Sequence, residues 1–319
     1  MARKEKPALV KVLLFTAALI SAALYSGPSA AQSRPTLTNP LIISLKTSGN
    51  SNHINAGGRD VLLRWPAGAV TDPQIRIDGA RSVISERGAF TPRGTASRQG
   101  AIEFTNATGT VYLANMLIDL TARRMPISDP KIISKIPITG DAIGFGGRRD
   151  NDTPLSFPHF TMRRSIVRGV SGQHPDGCAA CGGAHADGFQ MRGPVGDIRF
   201  IESTIESTYQ AFLAAPSSSI GLAANAQQRG AWYFTRVVGR TVKPAGLTTE
   251  QSRQWMARAK TWFIDNSYNG MGKFDLRFSE TWNDPGGGDP TCRAHIYGQG
   301  DIRCGKPSRD YVSRSEVGP

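Results

Sequence analysis

Asp197-Ile198-Arg199-Phe200-Ile201-Glu202-Ser203 and Asp275-Leu276-Arg277-Phe278-Ser279-Glu280-Thr281 are two copies of one phrase, far apart in the chain. Its theme is an alternating apolar pair, a polar step, then a second apolar or β-branched pair. The theme recurs in Val111-Tyr112-Leu113 with Met116-Leu117-Ile118, in Phe160-Thr161-Met162 with Ile166-Val167, and in Trp232-Tyr233-Phe234 with Val237-Val238. The two quoted copies continue into Thr204-Ile205 and Thr281-Trp282. A weaker copy, Gln74-Ile75-Arg76-Ile77-Asp78-Gly79, precedes them, and starts at 74, 110, 159, 197, 231 and 275 give steps of 36, 49, 38, 34 and 44. Alternation with a period of two, bounded by Gly, Pro, Asn and Asp, predicts strands rather than helices. Repetition at this interval predicts a stacked array in which each repeat contributes one circuit of a parallel β-solenoid. Phe200, Phe234 and Phe278 are then expected at equivalent inward positions.

Each theme is joined to a shorter apolar run: Ala101-Ile102-Glu103-Phe104, Ala142-Ile143-Gly144-Phe145, Gly188-Phe189-Gln190-Met191, Ala211-Phe212-Leu213 and Trp262-Phe263-Ile264. Turn-forming residues separate the two, and loops inserted at 146–158, 171–186 and 241–260 account for the uneven circuits. Thr248-Thr249-Glu250-Gln251 has the form of a capping box and predicts one short helix, read as a lid packed through Trp255.

The chain opens with Arg3, Lys4, Lys6 and Lys11, an apolar run from Val12 to Leu24, and the small residues Ser29-Ala30-Ala31, the pattern of a secretory signal peptide. Residues 1–31 are therefore expected to be removed and the protein to be secreted or periplasmic. No later segment is apolar enough for a spanning helix, so stable membrane insertion is not expected. Residues 32–60 are read as an N-terminal cap, 61–285 as the repeat domain, and 286–319 as an irregular tail with a disordered end. The net charge is +13 over the whole chain. It is about +10 without the leader, enough to draw polyanions over a Debye length. The cations are spread along strands rather than clustered, and export removes the chain from most nucleic acid, so an acidic polysaccharide is the expected partner and nucleic acid is not.

Four cysteines, Cys178, Cys181, Cys292 and Cys304, in an exported chain read as disulfides. Local pairing, Cys178 with Cys181 and Cys292 with Cys304, is expected. A zinc half-site at Cys178 and Cys181 is the other reading, but the second pair lacks the matching spacing.

The sharpest local signal is a twin motif, His174-Pro175-Asp176-Gly177 and His185-Ala186-Asp187-Gly188, which brackets the Cys178–Cys181 loop. A His and an Asp in reach of one another make an oriented general base or a pair of metal ligands. Asp-Gly also simply makes turns, which is the plainer reading. Matching the short strands places Asp141, Asp187 and Tyr209 in one column of adjacent rungs. Two stacked carboxylates raise a pKa unless a cation intervenes.

With these residues the chain resembles the pectin-lyase-like superfamily of secreted right-handed parallel β-helix proteins. The resemblance rests on the repeated theme over roughly residues 60–285 and on His185-Ala186-Asp187-Gly188-Phe189-Gln190. It implies an all-β, single-stranded right-handed parallel β-helix with loop insertions. Ala186-Asp187-Gly188 is similar to a turn of the polygalacturonases, but their adjacent Asp pair is replaced by Tyr209-Gln210, which argues against inverting hydrolysis. A lyase-type β-elimination needs only a base and something to neutralise the uronate carboxylate. The resemblance thus implies catalytic roles for His185, Asp187 and Tyr209. It implies substrate contacts from Gln190, Arg192, Arg164, Lys273, His174, Asp176 and Asp141. Calcium is one neutraliser that such a site admits; no run of Asp ligands marks a calcium site. A non-catalytic carbohydrate-binding or exopolysaccharide and surface assembly protein on the same scaffold is the alternative.

Overall fold

The computed structural model describes residues 33–50, 53–95, 100–124, 139–150, 153–172, 186–213, 229–243, 248–250, 262–264, 275–286, 295–296 and 302–319. The protein is all-β, and its described residues form three large parallel sheets. Among the described residues, helix is confined to Thr249 and Glu250, where the short helix was expected, and to a single 3-10 turn, Arg314–Glu316. Among the described residues no helix is long and apolar enough to cross a membrane.

The first sheet stacks Leu41–Ser44, Val61–Arg64, Val83–Glu86, Thr110–Ala114, His159–Arg163, Ile198–Ile201, Ala231–Thr235 and Asp275–Ser279, in chain order. The second stacks His53–Asn55, Ile75–Asp78, Ile102–Ala107, Ile143–Gly147, Asp187–Met191, Gln210–Leu213, Trp262–Ile264 and His295–Ile296. The third runs from Ala89–Phe90 through Leu117–Asp119, Ile166–Val170, Thr204–Ser207, Val238–Thr241 and Thr281–Asp284 to Ile302–Cys304. From Ile102 to Asp284 the chain visits second, first and third sheet in turn, then begins again. Each theme supplies a first-sheet and a third-sheet strand, and each short run supplies a second-sheet strand.

The weak copy at Gln74 is the exception. Ile75–Asp78 lies in the second sheet, and the first-sheet strands before Thr110 begin at Leu41, Val61 and Val83. Those early circuits are shorter, and among the described residues those of Leu41 and Val61 have no third-sheet strand beyond a single bridge from Val70 to Phe90, so the spacing of later repeats misleads there. The parallel sheets accordingly start inside residues 32–60 and continue past residue 285, through His295–Ile296 and Ile302–Cys304.

Register aligns the core. Met162, Phe200, Phe234 and Phe278 are partners on successive first-sheet strands. The rings of Phe200 and Phe234 stack at 5.5 Å, those of Phe234 and Phe278 at 5.1 Å, and Phe212 and Trp262 of the second sheet close against Phe234 at 5.2 and 5.0 Å. Phe200 and Phe234 are buried, and Phe278 packs on the same core, as the repeat predicts. Burying such a ring contributes about 1.5–3 kcal/mol, with about 0.5–1.5 kcal/mol more for each well-placed aromatic pair.

The turn from first to third sheet is made by one residue in the left-handed region: Arg87, Asn115, Arg164, Glu202, Arg236 and Glu280, with φ between 46° and 54°. A side chain there costs about 1–2 kcal/mol. The cost is offset by a ladder in which each N–H, from Arg87 to Arg236, donates to a carbonyl of the next circuit. From Arg164 onward the turn residues also alternate in sign, Arg164–Glu202 at 3.4 Å and Arg236–Glu202 at 2.8 Å.

After the strand Ile302–Cys304, residues 305–319, whose end was expected to be disordered, fold back on the outer face of the third sheet. Arg240 pairs with Asp310 at 2.6 Å, Arg164 with Glu316 at 2.7 Å, and Tyr311 Oη donates to the Glu280 carbonyl at 2.7 Å. Val312 and Val317 cover Ala89, Leu117 and Ile166, and the Gly318 N–H donates to the Asn115 carbonyl at 3.0 Å. The third sheet's outer stripe of apolar side chains is what holds this segment.

Candidate functional site

Three strands of the second sheet build the site. Asp141 precedes Ile143–Gly147, Asp187 opens Asp187–Met191, and Gln210 opens Gln210–Leu213. Ile143 is paired with Phe189, and Asp187 with Gln210, so Asp141, Asp187 and Gln210 occupy one column. Tyr209, expected in that column, is buried but one residue out of register, and Gln210 takes its place. Because side chains alternate across a strand, one residue of slip puts Tyr209 on the other face.

Asp141 and Asp187 are both 0 % exposed. The Asp187 N–H donates to Asp141 Oδ1 at 3.0 Å, and the Arg192 guanidinium, at the end of the same strand, donates to Asp141 Oδ2. Arg192 reaches Asp141 by lying across Gly144, where a Cβ would stand 3.3 Å from its Cγ and Nε. A larger side chain would crowd that path. The other face of the gap is closed by Glu103, whose Oε1 accepts from the Gly100 N–H at 3.3 Å. Among the described residues, neither carboxyl oxygen of Asp187 has a hydrogen-bond partner, and the same holds for Gln210 Oε1 and Gln190 Oε1.

Beneath the pair lies Arg123, fully buried. Its guanidinium donates to the carbonyls of Pro73 at 3.1 Å, Gly100 at 3.2 Å and Asp141 at 3.5 Å, and also to that of Thr139. It ties the start of the Asp141 strand to the two preceding circuits. Burial pulls its pKa down to about 10, against the opposing pull of Asp141 and Glu103. It therefore remains a cation at neutral pH.

Three carboxyl groups thus meet two guanidinium groups, and the excess falls on Asp187. Burial pushes Asp141 up to about 6 despite Arg192 and Arg123. Burial and the Asp141 charge push Asp187 well above the usual carboxylate range, with Arg192 opposing. The arrangement is a pair of stacked carboxyl groups that ionise unequally, one of which keeps its proton near neutrality, as acid–base chemistry requires of a proton donor. Among the described residues no three His, Cys, Asp or Glu side chains gather to hold a metal ion.

The other expected site residues are placed as follows. Gln190 lies on the outward face of its strand beside Leu213. Arg164 belongs to the turn between first and third sheets, paired with Glu202 and Glu316, and is not brought to the Asp187 cluster. His174, Asp176, Cys178, Cys181, His185, Lys273 and Cys292 lie outside the described residues. Cys304 is held in a disulfide. Arg123, Glu103 and Gln210 were missed in the sequence. Aligning Phe189 with Phe212, rather than the start of each run, would have found Gln210. Arg123 has no local signal, because its partners are as far as 50 residues away.

Matched against protein-family models, curated proteins and solved structures, the chain finds no similar protein.

Proposed function

We propose that the chain is an exported right-handed parallel β-helix that acts on an acidic extracellular polysaccharide by lyase-type β-elimination at Asp141, Asp187 and Arg192. The observation that carries this reading is the Asp187 carboxyl, fully buried and without a hydrogen-bond partner among the described residues, beside a second buried carboxyl that an arginine engages. β-Elimination removes the proton beside the uronate carboxylate, and the glycosidic oxygen leaves from the neighbouring carbon, so that an unsaturated sugar remains. Asp141, ionising at about 6, is tuned for taking a proton near neutrality. Asp187 in its acid form supplies a proton to the leaving oxygen. Arg192, whose side chain is 26 % exposed, is the cation suited to the substrate carboxylate. The net positive charge favours a polyanionic substrate.

Full burial of both carboxyl groups favours a second reading, a carbohydrate-binding or assembly protein in which the cluster is internal. Incubating the mature protein with a panel of uronate polymers, with calcium or with chelator, and following the ultraviolet absorbance of unsaturated product separates the two. Product is expected, and Asp187→Asn should lower turnover by about 10²-fold or more with the fold intact. Wild-type protein that binds these polymers and releases no product under any metal condition would falsify the elimination reading.

A further inference from the structure

Buried acceptors without donors are rare in folded proteins, and here two face each other across one rung. Asp187 and Gln210 are register partners, 0 % and 1 % exposed, and among the described residues neither the carboxyl oxygens nor Gln210 Oε1 receives a hydrogen bond. Adjacent strands are about 4.8 Å apart, so in-register side chains of this length reach one another. A carboxylate against an amide oxygen would be two acceptors in a buried site closed to water, which is costly. A carboxylic acid against the same oxygen is a donor and an acceptor. The neighbouring cations do not change this. Arg192 is engaged by Asp141, and Arg123 by the carbonyls of Pro73, Gly100, Thr139 and Asp141.

We propose that Gln210 is a positioning residue for Asp187, its amide oxygen accepting the hydrogen of the Asp187 carboxyl and so holding that group as an acid with a fixed aim. The inference rests on the reading of this cluster as an acid–base site. The groups facing Asp187 are Asp141 on the preceding rung, Arg192 at the end of its own strand and Gln210 on the following rung, with Tyr209 beside Gln210; Glu103 and Arg123 act through Asp141. Of these, Arg192 favours the ionised form, while Asp141 and burial oppose it. A hydrogen bond to the neutral form adds to that opposition, and its removal makes ionisation easier.

The test is a titration of the Asp187 side-chain carboxyl by ¹³C NMR in the full mature chain without substrate, with the resonance assigned by its loss in Asp187→Asn. Gln210→Met keeps the length and removes the amide oxygen. The midpoint of Asp187 should move down by about one pH unit or more. An unchanged midpoint overturns the proposal, because a side chain that merely fills space would lower stability without moving the titration. An upward move overturns it too, since the amide would then have been donating to a carboxylate. Wild-type protein offers a second measurement that needs no variant. The infrared band of a hydrogen-bonded carboxylic acid, absent from Asp187→Asn, should be present at neutral pH, and its absence overturns the assignment. Both measurements read the proton directly, so the role of Gln210 is tested even in a protein without lyase activity.

Discussion

Two columns of charged side chains climb this molecule, and they are built in opposite ways. On the third sheet, Asp119 faces Arg168, and Arg240 stands between Glu206 and Asp284, with contacts of 2.6–2.8 Å. Signs alternate, so each rung neutralises the next. Burial pushes Asp119 up, but hydrogen bonds from Thr121 and Arg168 outweigh it and hold the carboxyl below its ordinary value. Burial likewise pulls Arg240 down, and Asp310, Asp284 and Glu206 more than restore it. On the second sheet, Asp141 is followed by another Asp and then by an amide, and both carboxyl groups are raised. A parallel stack has an inexpensive way to place charge, and one column uses it. The other forgoes it inside the core, where stability alone would favour an apolar residue, and it is on this column that the proposed chemistry rests.

The scaffold shared by both columns is the place to look for the largest effect. Phe234→Ala removes a ring in contact with Phe200, Phe278, Phe212 and Trp262, and should cost about 3–5 kcal/mol in urea unfolding. A loss below about 1 kcal/mol would mean that the stack is not continuous.

The two columns should also respond to pH with opposite sign. Asp141 keeps its proton in the folded state up to about 6. The unfolded chain loses it near 4, so stability falls as pH rises between those values, by on the order of 3 kcal/mol. Asp187 extends the loss to higher pH. Asp119, held low, contributes stability above the unfolded value that disappears as pH falls through its folded one. Thermal unfolding of the Asp141→Asn, Asp187→Asn double variant should therefore show a higher Tm relative to wild type at neutral pH than at pH 4. The same offset at both pH values would remove the distinction between the columns.

The smallest effect is expected at the sheet corner. Arg164→Gln breaks pairs with Glu202 and Glu316 on a side chain 35 % exposed, and should change stability by no more than about 1 kcal/mol. Product formation should be unaffected. Lost activity at full stability would restore Arg164 to the substrate path.

The aromatic phrase around Phe200 and Phe278 was readable because inward positions repeat in type as well as in spacing. The copy at Gln74 was not, because Ile75-Arg76-Ile77 alternates as well on the second sheet as it would on the first. Alternation names a strand and not its sheet. Asp141 and Asp187 were paired correctly from their short strands, while Tyr209 was set where Gln210 stands. A single step of register is invisible in a run as short as Gln210–Leu213 and decisive for which face a side chain takes. The final segment looked irregular because its anchors, Val312 and Val317 on Ala89, Leu117 and Ile166, are isolated apolar residues whose partners lie far away in the chain.

Strand existence, the order of the repeats and the inward aromatic positions were thus determined by the sequence alone, since period-two alternation and repeat spacing are local properties. Which carboxyl groups share a column, which arginines reach them and where the C-terminal segment lies were decided only in the tertiary structure. The physical reason is that parallel stacking joins residues tens of positions apart, and both burial and the fate of a proton depend on those distant neighbours.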